Sequence, residues 1–126
     1  MTKRKKILLV DDFEFFLKTT ELILKDKYDI ILARSGEEAI GFLIDGNFPD
    51  LILLDIAMPD MDGWVTFNRL KELSSGRNIP IVFLTSMSGA AEEKYAYDSG
   101  VADFITKPYK KSDFVNRVDR IINMSE

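Results

Sequence analysis

Five short runs of apolar residues alternate along the chain with longer amphipathic segments. The runs read KILLV, DIILA, DLILL, IPIVFLT and ADFIT, and their apolar residues are continuous instead of alternating with polar ones. Strands of this kind are typical of a parallel sheet that is covered on both faces. Because segments with helical periodicity separate the runs, we predict an α/β fold in which helices cover both faces of a five-stranded parallel sheet.

The amphipathic segments predict five helices. In the first of them, residues at helical spacing form an apolar stripe that we interpret as core packing: Phe15, Phe16, Thr19, Leu22 and Ile23. Polar residues that precede helices are candidate N-caps: Ser35, Asp62, Ser88 and Ser112. Gly100 is expected to end the fourth helix, because glycine adopts the left-handed backbone conformation that often follows a helix.

The chain contains neither cysteine nor histidine. This composition excludes disulfides, zinc sites built from thiolate or imidazole ligands, and Ser-His-Asp catalysis. A bound metal would need oxygen ligands, which favours a hard cation such as Mg²⁺. The net charge of −4 argues against direct binding of nucleic acid, because a phosphate backbone requires a basic surface.

The length of 126 residues predicts a single domain over residues 1–126. The basic start, MTKRKK, precedes an apolar run of only ILLV, which is too short for a signal peptide or a membrane-spanning helix. We therefore expect a cytoplasmic protein that does not contact the membrane, and we interpret the basic residues as a solvated flank of the first strand.

Polar side chains stand where the predicted strands end. Asp11 and Asp12 follow the first strand, Asp55 follows the third, and Thr85 and Lys107 stand at the ends of the fourth and fifth. Ligands of open parallel sheets bind at the carboxyl ends of the strands, so we expect these side chains to share one crevice. Taken singly, each has a structural alternative as a turn residue, a helix cap or a surface lysine.

Three carboxylates that converge without a cation repel one another, and a divalent metal removes that repulsion. Acids, a metal, a hydroxyl and an ammonium together suit phosphoryl transfer, because the cations neutralise developing negative charge. A carboxylate can act as the nucleophile and form an acyl phosphate. Asp55 is the single acid after the central strand, whereas the adjacent Asp11 and Asp12 are better suited to holding a metal.

Four segments in order resemble the receiver domain of response regulators in two-component signalling. They are ILLVDD at 7–12, LILLDIAMPDMDG at 51–63, PIVFLTS at 80–86 and SGVADFITKPY at 99–109, and the similarity extends over essentially the whole chain. The resemblance implies a doubly wound, flavodoxin-like (βα)5 sheet in strand order 2-1-3-4-5.

The resemblance also implies the chemistry of the crevice. Asp55 would be the phosphoacceptor. Asp11 and Asp12 would bind Mg²⁺ directly or through water, together with Asp55 and the backbone carbonyl of Ala57. The segment after Asp55 would be the loop that follows the acceptor in this family, with Gly63 giving room at the start of the third helix. We interpret Asp60 and Asp62 as residues that serve this loop and the helix start.

Three further residues would respond to the phosphoryl group in such a receiver. Thr85 would form a hydrogen bond with it, and Lys107 would pair with it. The peptide bond between Lys107 and Pro108 would be cis. Phe104 would be the aromatic switch residue, which turns inward after Asp55 is modified.

The predicted function is a phosphoacceptor switch that catalyses only its own phosphorylation and autodephosphorylation. Because the chain has no histidine, a histidine kinase or histidine phosphotransfer protein would supply the phosphoryl group in trans. The face made of helix four, strand five and helix five would then control a downstream protein or output domain. A phosphorylation-enhanced homodimer through this face is a further option.

Three alternatives compete with this function. A haloacid-dehalogenase-like phosphatase requires a second acid two residues after the nucleophile, where this chain has Ala57. A flavodoxin-like cofactor binder requires a phosphate-binding loop after the first strand, where the sequence reads DDFEFF. A receiver-like module that is never phosphorylated would not need the full set of acids, threonine and lysine. The sequence leaves open whether the receiver stands alone or belongs to a longer regulator.

Overall fold

The computed structural model describes residues 4–57, 63–86 and 89–124. Its strands are β1 Lys6–Val10, β2 Asp29–Ala33, β3 Leu51–Leu54, β4 Ile81–Thr85 and β5 Asp103–Thr106. Its helices are α1 Glu14–Leu24, α2 Gly36–Ile44, α3 Gly63–Leu73, α4 Ala90–Asp98 and α5 Lys111–Met124. The strands form one parallel sheet in the order β2-β1-β3-β4-β5, which confirms the predicted fold and strand order.

The sheet separates two apolar cores, and this arrangement explains the continuous apolar runs. Successive β1 residues alternate between the cores, so that Leu8 and Val10 enter one while Ile7 and Leu9 enter the other. The first core is covered by α2, α3 and α4, and the second by α1 and α5. A strand buried on both faces has no solvent side, so every position along it favours an apolar residue.

The predicted core stripe of α1 is only partly right, since Phe16 and Ile23 pack, partly buried, against the second core. Phe15 is 70% exposed and Leu22 is 60% exposed. The buried positions of the helix are instead Leu17, Thr20 and Leu24. Thr20 is tolerated in the core because its hydroxyl forms a 3.0 Å hydrogen bond with the hydroxyl of Tyr109. The error arose because a polar residue occupies the buried face while two large apolar residues occupy the exposed one.

The helix starts match the predicted caps in part. Ser35 caps α2, since its hydroxyl accepts a 3.0 Å hydrogen bond from the backbone N–H of Glu38. Ser112 is not a cap, because α5 already begins at Lys111 and the amide of Phe114 donates to the Lys110 carbonyl at 2.9 Å. Asp62 and Ser88 lie outside the described residues.

The end of α4 follows the prediction for Gly100. This glycine has a φ of +103°, and its N–H donates to the Tyr97 carbonyl at 3.0 Å. The next amide, that of Val101, donates to the Ala96 carbonyl at 3.3 Å. The pair of bonds is a Schellman motif, which satisfies carbonyls that the helix leaves without partners.

No helix in the described part of the chain combines the length and hydrophobicity needed to cross a bilayer.

Candidate functional site

The site lies at the C-terminal edge of the sheet, where neighbouring strands end at the same level. Val10 of β1 stands opposite Leu54 of β3, so the residues that follow them, Asp11 and Asp55, leave the sheet side by side. Backbone hydrogen bonds continue past both strands. The amide of Asp11 donates to the Ala33 carbonyl, and the amide of Asp55 donates to the Val10 carbonyl, each at 3.0 Å.

Three carboxylates converge at this edge. Asp11, Asp12 and Asp55 each offer an oxygen, and these oxygens all lie within 4.8 Å of one another. Asp11 and Asp55 are buried, whereas Asp12 is exposed. The backbone fixes one oxygen of each buried acid, because the Phe13 amide donates to Asp11 Oδ1 at 3.0 Å and the Ala57 amide donates to Asp55 Oδ1 at 2.9 Å. The short segment that follows each of these two acids therefore orients the carboxylate through a backbone amide.

Lys107 reaches the two buried acids from the loop after β5. Its Nζ lies 2.6 Å from Asp11 Oδ2 and 3.1 Å from Asp55 Oδ2. Its side chain is only 12% exposed, so the ion pairs are largely shielded from water. The Lys107 amide donates to the Thr85 carbonyl at 2.8 Å, and the bond between Lys107 and Pro108 is cis, as expected.

Thr85 lies on β4 and Phe104 lies on the neighbouring strand β5. Thr85 is the last residue of β4 and is fully buried. Phe104 stands opposite Phe83 in the β4–β5 register, and their ring centroids are 6.2 Å apart. Phe104 is 4% exposed, so the predicted switch residue occupies its inward position in this structure. The ring of Phe83 in turn packs against the indole of Trp64, with their centroids 5.1 Å apart.

The acids outnumber the ammonium group that lies between them. Burial raises the pKa of Asp11 above its ordinary value; the hydrogen bonds from Lys107 and from the Phe13 amide lower it, and the neighbouring charge of Asp55 raises it further. Ionisation of Asp11 therefore lowers the stability of the folded protein in this arrangement. A hard divalent cation would offset that cost, and a set of carboxylate oxygens is the donor chemistry that Mg²⁺ prefers.

Substituting Asp11 with asparagine is expected to stabilise the metal-free protein at pH 7, by an amount on the order of 1 kcal/mol. A folded-state pKa above the unfolded-state value means that ionisation disfavours the folded state. The contribution of Asp11 to stability is thus fully present below its unfolded-state pKa and is lost as pH rises through the folded-state pKa. The advantage of Asp11→Asn should therefore widen from pH 4 to pH 7.

Urea unfolding in EDTA at several pH values measures this advantage. Asp12→Asn is the matched control, and a smaller effect is expected because Asp12 is exposed. An Asp11→Asn variant that is less stable than wild type at pH 7 would contradict the prediction.

Phe16 packs against the second core, as the stripe of α1 predicted, and it also lines the site. The open cleft beside Asp55 has a volume of about 500 Å³, and its lining includes Phe13, Phe16, Lys107 and Pro108. The Lys107 Nζ lies 4.0 Å from the centroid of the Phe16 ring. The available signal was its position in the first turn of α1, because side chains on a helix lean toward its N-terminus and this one therefore leans toward the strand ends.

Gly63 allows α3 to begin against the backbone of Ile56, the residue directly after Asp55. A Cβ atom at this position would lie 2.2 Å from the Cα of Ile56 and 2.3 Å from its carbonyl oxygen. The expectation that Gly63 gives room at the start of the third helix is therefore confirmed. The preceding residues with predicted roles in the loop, Asp60 and Asp62, lie outside the part of the chain that the structure describes.

The sequence matches known signalling proteins. The family model described as the response regulator receiver domain matches residues 7–119. The response regulator PleD of Caulobacter vibrioides is 36% identical over 82% of this chain and 23% of its own length. The chemotaxis protein CheY of Halobacterium salinarum is 32% identical over 94% of this chain and 97% of its own length. The chain thus spans less than a quarter of one relative and nearly all of another.

The fold matches solved receiver domains. The non-phosphorylated receiver domain of HemR from Leptospira biflexa has a TM-score of 0.83 and 33% identity, with 94% of each chain covered. The receiver domain of a sensor histidine kinase from Pseudomonas aeruginosa, solved with a magnesium ion coordinated in its active site cleft, has a TM-score of 0.83 and 25% identity, with 96% of this chain and 99% of that one covered. Given the family match across most of its length and the shared sheet order, this chain belongs to the receiver domains of response regulators, the phosphoacceptor modules of two-component signalling.

Proposed function

We propose that Asp55 is the residue of this receiver that accepts the phosphoryl group. One observation carries the proposal: Asp55 and Asp11, which is 44 positions before it in the sequence, are bridged by the ammonium of Lys107 within a cluster of three carboxylates. Such a cluster costs stability because it places like charges together in a partly buried crevice, and an arrangement with this cost is typical of a functional site.

Asp55 is well placed to be the nucleophile. The four residues before it, Leu51–Leu54, form a fully buried strand that fixes its backbone. Its Oδ1 is held by the Ala57 amide, while its Oδ2 points toward Lys107 and the cleft. In the proposed step, an Asp55 oxygen forms a bond to phosphorus while the bond between phosphorus and a histidine nitrogen of the donor breaks. The donor is a histidine kinase or a histidine phosphotransfer protein. The electron pair of the broken bond stays on the histidine nitrogen, and the imidazole leaves neutral because its other ring nitrogen carries a proton.

The residues present fit a magnesium ion. Asp11, Asp12, Asp55 and the backbone carbonyl of Ala57 would hold it, and the bound ion would supply positive charge to the phosphoryl oxygens. Lys107 would transfer its hydrogen bonds from the carboxylates to the phosphoryl oxygens, and Thr85 would donate its hydroxyl hydrogen to them. These residues therefore stabilise charge and orient the reacting groups.

We infer that Phe104 and the face of α4, β5 and α5 transmit the signal. These three elements are already joined, because the Tyr97 hydroxyl donates to Asp103 Oδ1 at 3.0 Å and Arg117 Nε lies 3.4 Å from Asp103 Oδ2. A change at Phe104, the residue after Asp103, would shift the balance between two arrangements of this face. The proposed receivers of that change are a downstream protein, an output domain or a second copy of the chain.

We further propose that residues 1–126 act as one receiver domain without turnover of external substrates. Position 57 supports this proposal, since alanine cannot supply the second acid that a phosphatase of the alternative class requires.

Intact-protein mass spectrometry tests the assignment of Asp55. With acetyl phosphate and MgCl₂, the wild-type chain is expected to gain the mass of one phosphoryl group, and Asp55→Asn is expected to gain none. Asp50→Asn is a matched control, because Asp50 is an exposed acid at the opposite end of β3 and should leave the adduct intact. An adduct on Asp55→Asn, or none on the wild type, would refute the assignment.

A further inference from the structure

We propose that Phe16 is a positioning residue for phosphoryl transfer, and that its ring holds the Lys107 ammonium beside Asp55. This inference rests on the proposed function of Asp55. The ring centroid lies 4.0 Å from Lys107 Nζ, well within the range of about 6 Å at which a cation is attracted by an aromatic face. The lysine is largely shielded from water, and desolvation strengthens such an attraction.

The ammonium has partners of two kinds. Its hydrogen bonds join it to Asp11 at 2.6 Å and Asp55 at 3.1 Å, while the Phe16 ring makes a contact that involves no formal charge. The lysine is thus closer to Asp11 than to Asp55 in this structure. When another cation engages the carboxylates, those hydrogen bonds weaken, whereas the attraction to the ring persists. The ring therefore keeps the flexible lysine in the crevice instead of letting it extend into solvent.

The ring is itself held in place from two helices. It packs edge-on against Tyr109, with centroids 5.6 Å apart and an interplanar angle of 81°. Tyr109 stacks on Phe114 of α5 at 4.2 Å, and its hydroxyl forms a 3.0 Å hydrogen bond with that of Thr20 on α1. This bond accounts for the unexpected burial of Thr20. Together these contacts fix the orientation that presents the Phe16 face to the lysine, as preorganised sites require.

A purely structural role for Phe16 makes a different prediction. If the residue only fills space, leucine should replace it with little effect on the site, because leucine is also large and apolar. If the aromatic face matters, leucine should fail where tyrosine succeeds, because tyrosine keeps the ring. Phe15 provides the matched control, since it is the neighbouring phenylalanine on α1 and is largely exposed.

The first measurement is the rate of Asp55 phosphorylation by acetyl phosphate in saturating MgCl₂. A small donor is used so that no protein docking surface affects the result. Phe16→Leu is expected to be about 5- to 10-fold slower than wild type, given the usual strength of shielded cation–π contacts. Phe16→Tyr and Phe15→Leu are expected to retain rates close to wild type. Phe16→Met repeats the test in case the leucine variant fails to fold.

The second measurement is independent of phosphorylation. A ring 4.0 Å from the ammonium should shift the Lys107 ε-methylene proton resonances upfield through its ring current. This shift is expected to disappear in Phe16→Leu and to persist in Phe16→Tyr and Phe15→Leu, with folding verified by thermal unfolding.

The outcomes separate the two proposals. If wild type is phosphorylated and Phe16→Leu reacts at the same rate, or if the Lys107 resonances do not change, the positioning role is overturned while the function of Asp55 stands. If wild type accepts no phosphoryl group under these conditions, the function of Asp55 and the role of Phe16 are both overturned.

Discussion

Replacing Lys107 with methionine is expected to lower the rate of Asp55 phosphorylation by about 100-fold or more, the usual cost of removing a preorganised group that stabilises transition-state charge. Methionine retains the length and flexibility of the side chain but carries no charge. The rate can be followed as the appearance of the phosphoryl adduct on the intact protein at increasing times after addition of acetyl phosphate.

The same substitution is expected to destabilise the metal-free protein by about 3 kcal/mol, because removing one partner of a buried ion pair leaves uncompensated carboxylates. Mg²⁺ should restore more stability in Lys107→Met than in wild type, since the ammonium no longer competes for Asp11 and Asp55. Urea unfolding in EDTA and in MgCl₂ measures both effects. Lys110→Met is the control, because this lysine is exposed in the same loop. An unchanged phosphorylation rate, or a smaller Mg²⁺ effect in Lys107→Met, would contradict the role given to Lys107.

Replacing Gly63 with alanine is expected to destabilise the protein by about 3 kcal/mol or more, the upper range for inserting an atom into a packed site. The added Cβ would lie 2.2 Å from the backbone of Ile56, and a backbone cannot move aside as the end of a flexible side chain can. Ile56 directly follows Asp55, so any movement that relieves the clash also displaces the proposed nucleophile. Loss of stability should therefore be accompanied by slower phosphorylation.

Gly41→Ala is the matched control for this substitution. Gly41 lies inside α2, and a Cβ atom added there would meet no neighbouring atom within 4 Å. Alanine there should stabilise the protein by about 1 kcal/mol through its higher helix propensity. Thermal or urea unfolding of both variants should thus show changes of opposite sign. A Gly63→Ala variant as stable as wild type would show that α3 can begin farther from Ile56.

The class of fold could be predicted from hydrophobic pattern alone. Runs such as Leu51–Leu54 are buried on both faces, and this physical requirement appears directly in the sequence as an unbroken apolar stretch. Strand order could not be obtained in the same way, because periodicity contains no information about which strands pair. The order came from the resemblance to receiver domains, and the observed sheet confirmed it.

Other features depended on contacts that a single sequence does not reveal. Thr20 lies outside the predicted stripe of α1, and its burial is tolerated because the hydroxyl of Tyr109, distant in sequence, pairs with its own hydroxyl. Ser112 was a plausible cap by residue type, but α5 already starts at Lys111, two residues before the start that a Ser112 cap would give. The proximity of Asp11, Asp55 and Lys107 was predictable because parallel strands end at one edge of the sheet. The position of Phe16 over the lysine depended on the packing of α1.

The aromatic contacts beyond Phe104 give the protein an intrinsic optical probe. Trp64 is the one tryptophan in the sequence, and its ring lies 5.1 Å from Phe83, which in turn lies 6.2 Å from Phe104. Interiors are closely packed, so outward rotation of Phe104 would change the surroundings of Phe83 and of the indole. With Phe104 as the proposed switch residue, the fluorescence of Trp64 should follow the state of the receiver in real time and without an attached label.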